Sequence, residues 1–347
     1  MPALGAALWE GPMKLVSLVR VVCGACALGL LAGGARSAEV EWRYFTYFPV
    51  NDKPAQLTRA FADDVEKATN GRLKIKVFAA GELPYKAPDV VKAVATNQVH
   101  MGDVAVGFAS GDLPELNVLS LPFLCTSYNQ FDKAIAAISA TVDETFAKKF
   151  GVKVAVHWTM PPQNFWLNRP IGGFADLKGL KVRTWNPEQV AMIRLLEGSP
   201  VSINSAEVIP ALERRVIDGA ITSALSANDW RAYEIVKTGY LANVTMGHQV
   251  MMINAAELAK LPADLRDTLL KKTQDWTAKY AAMSREGDEE ARKNLAANKV
   301  TLVEPKSEDR EKARAMLRPM WDEWATKHGS IGRTLLERAM AACGASS

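Results

Sequence analysis

The sequence predicts an α/β fold of two lobes, each a mostly parallel sheet flanked by helices, with a long helix across both lobes. Strand-like and helix-like segments alternate in two successive stretches, the habit of parallel sheets covered by helices. No Pro/Gly/Ser-rich linker, low-complexity tract or sequence repeat separates those stretches, which two lobes joined by several crossing strands would explain. After Pro262, which can occupy a first helical turn, one charged, alanine-rich amphipathic pattern runs to about Asn298. The 347 residues are enough for two domains of ordinary size.

In the first stretch Glu41 to Phe48 is aromatic and extended, and Pro54 to Thr69 has helical spacing in Leu57, Phe61, Val65 and Ala68. Gly71 stops that helix, and Leu73 to Phe78 alternates as a strand does. Ala87 to Asn97 reads as a helix and Met101 to Val106 as a short buried strand. In the second stretch Val152 to Trp158, Asn164 to Asn168, Leu180 to Arg183 and Pro200 to Ile203 are extended, and Asn186 to Glu197 is helical. Asn204-Ser-Ala-Glu207 is a capping-box pattern opening a helix that ends near Val216. Ile217 to Ile221 and Val250 to Asn254 return to the sheet, Val300 to Val303 adds a strand, and helices follow near Ser307 to Thr326 and Gly332 to Ala342. Ligands of such sheets bind beyond the carboxyl ends of the strands, here between the lobes.

The amino terminus has the pattern of a cleaved leader. Lys14 and Arg20 precede an apolar run from Val21 to Leu31, and Ala35-Arg36-Ser37 offers small residues for cleavage before Ala38. A start at Met13 gives a tidier leader than Met1. The run is too short to span a membrane, so residues 1–37 read as a signal peptide and the mature chain as periplasmic. Removing them leaves 39 basic against 37 acidic residues, with no basic stripe of the kind nucleic acid requires. Cys23 and Cys26 fall inside the leader, leaving Cys125 and Cys343, for which two isolated thiols are preferred to a disulfide.

Nothing in the chain has the form of a catalytic kit. There is no G-x-S-x-G, H-E-x-x-H, phosphate-cradling G-x-x-x-x-G-K-[ST] or G-x-G-x-x-G. His100, His157, His248 and His328 are far apart, none at metal-ligand spacing with another. The expectation is a protein that is not an enzyme and has no cofactor and no metal.

The stretch Asp176-Leu-Lys-Gly-Leu-Lys-Val-Arg183 resembles the D-L-K-G-L-K-[IV]-R motif of the solute receptors of tripartite ATP-independent periplasmic (TRAP) transporters. Gly198-Ser-Pro-Val201, Ala206-Glu-Val-Ile-Pro-Ala-Leu212, Val216-Ile-Asp-Gly219 and Leu261-Pro-Ala-Asp-Leu265 resemble further segments of that family, in its order. Asn70-Gly-Arg-Leu, Gly81-Glu-Leu and Leu121-Pro-Phe-Leu124 do so upstream, so the resemblance covers nearly all of the mature chain. It implies a periplasmic-binding-protein-like fold, with lobe I from 38–160 plus 249–288 and lobe II from 161–248 plus 289–347. It also implies a monomer that closes by hinge motion around a small organic acid and delivers it to the TRAP permease subunits.

The resemblance gives Arg183 the role of gripping the ligand carboxylate, and a planar guanidinium fork suits that task as lysine does not. Many relatives carry a second arginine where, by register with Arg169-Pro-Ile171, this chain has Gln163. Thr222-Ser223 replaces the family's N-P, so a hydroxyl stands where an asparagine would donate. Trp185 and Phe108 are the better aromatic contact candidates, whereas Trp166 and Trp230 lean towards core or lobe surface. His248 and Gln249 lie in a segment that approaches the ligand in relatives. One cation with flat apolar walls favours an aromatic or apolar monocarboxylate; the alternatives are a C4-dicarboxylate or a sugar acid. From other classes stand a periplasmic enzyme on a two-lobed scaffold and a receptor that docks to a sensor.

Overall fold

The computed structural model describes residues 39–345. The first alternating stretch forms β1 (Val40–Thr46), α1 (Lys53–Ala68), β2 (Leu73–Phe78), α2 (Val90–Ala95) and β3 (Met101–Ala105), in the order its periodicity predicts. β1 lies between β2 and β3 and is parallel to both. In β2 the alternation resolves as expected, Leu73 and Ile75 facing the core while Lys76 is exposed.

α3 (Tyr128–Phe150) is the largest element absent from the sequence reading. Its buried positions Phe131, Ala134, Ile135, Ile138, Val142 and Phe146 recur at three- and four-residue spacing, but alanines on the outer face reduce the contrast. Ser127 caps its start, accepting from the Gln130 N–H at 3.4 Å, and Gly151 in the left-handed region ends it.

The second stretch comprises β4 (Val152–Leu167), β5 (Lys181–Thr184), α4 (Pro187–Leu195), β6 (Ser199–Ser202), α5 (Val208–Glu213), β7 (Gly219–Ser223), α6 (Ala224–Asp229) and β8 (Thr238–Asn254). Then come α7 (Ala255–Lys260), α8 (Ala263–Ala297), β9 (Thr301–Val303), α9 (Ser307–Leu317), α10 (Pro319–Lys327) and α11 (Gly329–Cys343). The strands form one sheet in the order β2-β1-β3-β8-β4-β7-β5-β6, with β9 alongside β8. Pairings are parallel in its outer parts and antiparallel where β8 and β4 meet each other and their neighbours β3 and β7. β4 and β8 thus run through both halves.

Two predicted strands, Val152 to Trp158 and Asn164 to Asn168, merge into β4. The intervening Pro161-Pro162 pair lacks amide hydrogens, so the β4–β8 ladder steps from Met160↔Gly247 to Gln163↔Thr245 across an irregularity instead of ending. β8 is more than three times the length predicted because nearly every residue in it is buried, which erases the alternation that marks a strand.

α8 crosses both halves as predicted. Its first half places Leu265, Leu269, Trp276 and Tyr280 in the main core, and its second half places Ala291 and Leu295 in a second core with Val208, Leu212 and Ile217. The predicted helix from Ser307 to Thr326 divides at Pro319 into α9 and α10. α11 packs on α3, and Gln130 Nε2 donates to the Cys343 carbonyl at 2.7 Å. Residues 329–343, assigned above to lobe II, therefore pack with an element of lobe I. Cys125 and Cys343 are joined in a disulfide, with Cα atoms 5.2 Å apart and a sequence separation of 218, correcting the expectation of two isolated thiols. Linear spacing carries no sign that the last helix returns to the start of α3. The predicted leader lies outside the described residues. Among the described residues no helix is long and apolar enough to cross a membrane.

Candidate functional site

Five strands, β1, β3, β5, β6 and β7, direct their carboxyl ends at one cleft between the halves. Tyr47 follows the end of β1, Phe108 the end of β3, Trp185 the end of β5, Ser205 the end of β6 and Ser226 the end of β7. Gln163 and Met160 enter from the interrupted part of β4, Gly247 and Gln249 from β8, and Trp230 follows α6. The cavity left between these side chains is small, about 30 Å³.

Arg183 lies in β5, hydrogen-bonded into the sheet between β6 and β7, and is only 2% exposed. Its Nε donates to the Ile203 carbonyl and one terminal nitrogen to the Ile221 carbonyl, each at 2.9 Å. These two bonds hold the guanidinium plane while its remaining N–H groups stay uncommitted. Among the described residues no carboxylate lines the cleft, and Arg183 is the only cationic side chain that does. Burial without an acidic partner lowers its pKa from 12.5 to about 9, so it is still charged at neutral pH.

The walls are aromatic. Phe108 and Trp185 come from opposite halves with ring centroids 5.2 Å apart, and Tyr47 meets Phe108 edge-on at 5.2 Å. Trp230, which the sequence placed in the core or on a lobe surface, lines the cleft with its ring centroid 5.8 Å from the Arg183 guanidinium carbon, a cation–π geometry. Trp166 is buried as expected, its Nε1 donating to the Thr222 carbonyl at 2.9 Å. Polar edges are few. Gln163 Nε2 donates to the Pro161 carbonyl at 2.9 Å, the Tyr47 hydroxyl lies 2.9 Å from Gln249 Nε2, and Thr222, Ser205 and Ser226 add hydroxyls.

The structure thus brings Arg183, Gln163, Trp185, Thr222 and Phe108 to one cavity and excludes His248. Successive strand residues face opposite ways, so with Gln249 and Gly247 at the cleft, His248 turns to the other side of the sheet. There its Nε2 lies 3.0 Å from His157 Nδ1, and His157 Nε2 lies 2.8 Å from Asp143. Burial and the neighbouring His157 hold the His248 pKa well below its ordinary value, keeping it neutral. Sequence reasoning missed Tyr47, Ser205 and Ser226; their position just past strand ends is the signal that could have found them. Among the described residues no group of three or more His, Cys, Asp or Glu could hold a metal ion.

Two half-sheets joined by long strands, with one buried cation in the cleft between them, define a solute-binding receptor. The chain belongs to the bacterial extracellular solute-binding proteins of family 7, whose pattern matches residues 47–327. It is 23% identical over 326 residues to a solute-binding protein of Chromohalobacter salexigens, covering 92% of this chain and 95% of the relative. It is 26% identical to the C4-dicarboxylate-binding protein DctB of Bacillus subtilis, over 84% of this chain and 85% of that one. Among solved structures, a Bordetella pertussis extracytoplasmic solute receptor binding pyroglutamic acid superposes with a TM-score of 0.82 at 27% identity, covering 86% of this chain and 99% of that chain. A second receptor from that organism, also binding pyroglutamic acid, gives 0.83 at 25% identity, covering 87% and 100%. The protein is a TRAP-type receptor of small organic acids, a class that is extracytoplasmic and works with membrane permease subunits.

Proposed function

We propose that the protein is a periplasmic, monomeric receptor for a compact organic monocarboxylate of the pyroglutamate kind, exported by cleavage of residues 1–37 and serving a TRAP permease without changing its ligand. The observation that carries this is Arg183, a buried guanidinium with no acidic partner. Burying an unpaired charge is costly, and a ligand carboxylate relieves that cost by filling the free face of the fork. A cavity of about 30 Å³ is below the range of drug-sized ligand sites, which favours a compact acid. Phe108, Trp185 and Trp230 suit the faces of a small ring, while the amides of Gln163 and Gln249 suit polar groups on its edge. In this reading Arg183, Gln163, Trp185, Thr222 and Phe108 contact the ligand and His248 does not. Two relatives at 27% and 25% identity bind pyroglutamic acid, which has this chemistry.

The DctB relationship favours a second reading, a C4-dicarboxylate. One cation in the cleft argues against it, because the second carboxylate would be buried without a partner. Thermal-shift titration of the wild type and Arg183→Ala with pyroglutamate, succinate and galactonate tests the choice. Pyroglutamate should raise the wild-type melting temperature by mass action, leave the variant unchanged, and be recovered intact. A larger succinate shift refutes the monocarboxylate reading, and a shift retained by Arg183→Ala refutes the role of the arginine. Chemical conversion of the ligand would make the protein an enzyme.

A further inference from the structure

We propose that Asp52-Lys53 and Asp229-Trp230 are the halves of a clasp that couples arrival of the acid to lobe closure, by exchanging the carboxylate that caps α1. The proposal rests on the receptor reading above and concerns residues on the two sides of the cleft: Asp52-Lys53 lie between β1 and the body of α1, Asp229-Trp230 at the end of α6.

Asp52 holds the N-cap position of α1 with extended backbone angles (φ −69°, ψ 139°), and aspartate is among the best capping residues. Its carboxylate nevertheless makes no capping bond. Oδ2 accepts instead from the indole Nε1 of Trp230, at 3.0 Å. The cap comes from the other side of the cleft, where Asp229 Oδ2 accepts from the Lys53 backbone N–H at 2.8 Å. Because Pro54 has no amide hydrogen, Lys53 and Ala55 carry the first free donors of the helix. Two consecutive residues on one side therefore grip two consecutive residues on the other, and each carboxylate serves the opposite half.

Trp230 connects this clasp to the ligand. The same ring that donates to Asp52 lines the cleft beside Arg183. An acid seated on Arg183 packs against the ring and presents the indole N–H to Asp52. When the halves part, Asp52 returns to water and is free to cap Ala55 of its own helix. The N-terminus of α1 is then a two-state element with a different carboxylate in each state.

The charged surroundings give the clasp a pH signature. Asp52 faces Trp230 and Asp229; Asp229 faces the Lys53 amide, with Asn228, the Lys53 ammonium and Glu290 nearby. Burial raises the Asp52 pKa well above its ordinary range and raises that of Asp229 to about 6. The closed form thus holds protons that the open form releases. Its advantage is complete below the ordinary carboxylate range and is lost as pH rises through about 6 for Asp229, and higher for Asp52.

The test measures pyroglutamate affinity by tryptophan fluorescence at pH 5.5, 7 and 8 for the wild type, Asp52→Asn and Asp229→Ala, with ligand-free melting temperatures beside it. Wild-type affinity should fall several-fold from pH 5.5 to 8. Asp52→Asn, which keeps the acceptor and cannot ionise, should reduce that slope. Asp229→Ala should bind about tenfold more weakly at pH 7, one charge-assisted hydrogen bond, with an unchanged ligand-free melting temperature. Wild-type affinity in Asp229→Ala, an undiminished slope in Asp52→Asn, or weaker binding matched by an equal loss of ligand-free stability overturns the clasp. If pyroglutamate does not bind the wild type, the ligand assignment fails on its own. The clasp is then decided by hydrogen exchange at the Lys53 amide with succinate or galactonate bound, whichever raises the wild-type melting temperature: faster exchange in Asp229→Ala supports it, and unchanged exchange overturns it.

Discussion

Replacing Arg183 with methionine separates binding from folding. The change removes two hydrogen bonds from a charged donor to backbone carbonyls, those of Ile203 and Ile221. At about 1.5 kcal/mol each, their loss costs roughly 3 kcal/mol. Against this, the fall of the guanidinium pKa from 12.5 to about 9 corresponds to roughly 5 kcal/mol of penalty on the buried charged form, relieved when an apolar chain of similar length replaces it. The balance is near zero or slightly favourable, so Arg183→Met should melt within a few degrees of the wild type without ligand, or above it. The variant should show no thermal shift with pyroglutamate at concentrations that saturate the wild type. An arginine kept for structure predicts the reverse, since its two hydrogen bonds, roughly 3 kcal/mol, would be lost with nothing to offset them. In a chain of this size that is a fall of roughly 5 °C. Such a fall, or a retained response to the acid, would refute the reasoning.

Three other substitutions address closure and stability. A methyl group added by Gly107→Ala would meet the Trp185 ring at 2.6 Å, a contact across the cleft, so affinity should fall by at least tenfold while the ligand-free melting temperature changes little; calorimetric titration checks the first and a thermal scan the second. Glu188, hydrogen-bonded to Asn117 Nδ2, has a pKa raised from 4.5 to about 7 by burial, so its contribution to stability is fully present below 4.5 and lost as pH rises through about 7. Glu188→Gln should therefore melt higher than the wild type at pH 8, by up to roughly 3 kcal/mol, and match it at pH 5; equal melting at both values would contradict this. Replacing Cys125 and Cys343 with serine frees a loop closed across a sequence separation of 218, a loss of roughly 5 kcal/mol by chain entropy, and a thermal scan should show the melting temperature several degrees lower.

The parts of the site that were legible in the sequence depend on local rules. Arg183, Trp185 and Phe108 stand at the ends of segments whose strand character shows in residue type, and a sheet of this class binds beyond those ends. The phase of β8 was illegible for a physical reason. Burial on both faces removes the polar residues that would show which side His248 takes, and a one-residue choice exchanges it with Gln249. Trp230 was misassigned because its partner Asp52 is 178 residues away, and nothing near either residue signals the bond. α3 was lost for a third reason, since alanines on its outer face weaken the polar side of its pattern.

The lone arginine also explains why closure can depend on the acid. On the proposed reading water reaches the free face of its guanidinium in the open form, and closing the halves over it without an anion adds to the desolvation that the lowered pKa records. A penalty of even 3 kcal/mol keeps the closed, unliganded form to about one molecule in a hundred or fewer. A carboxylate reverses the sign, because its attraction to the guanidinium grows as water leaves. The same logic acts on the ligand. A second carboxylate would enter a cleft whose other polar groups are amides and hydroxyls, and would be desolvated without a cation to offset the cost. On the proposed reading Gln163, at the position where the family resemblance expects a second arginine, contributes selectivity through the charge it lacks. A receptor built this way needs no lock for each wrong ligand: closure itself becomes unfavourable for an empty cleft and for a doubly charged acid, and favourable for a singly charged one.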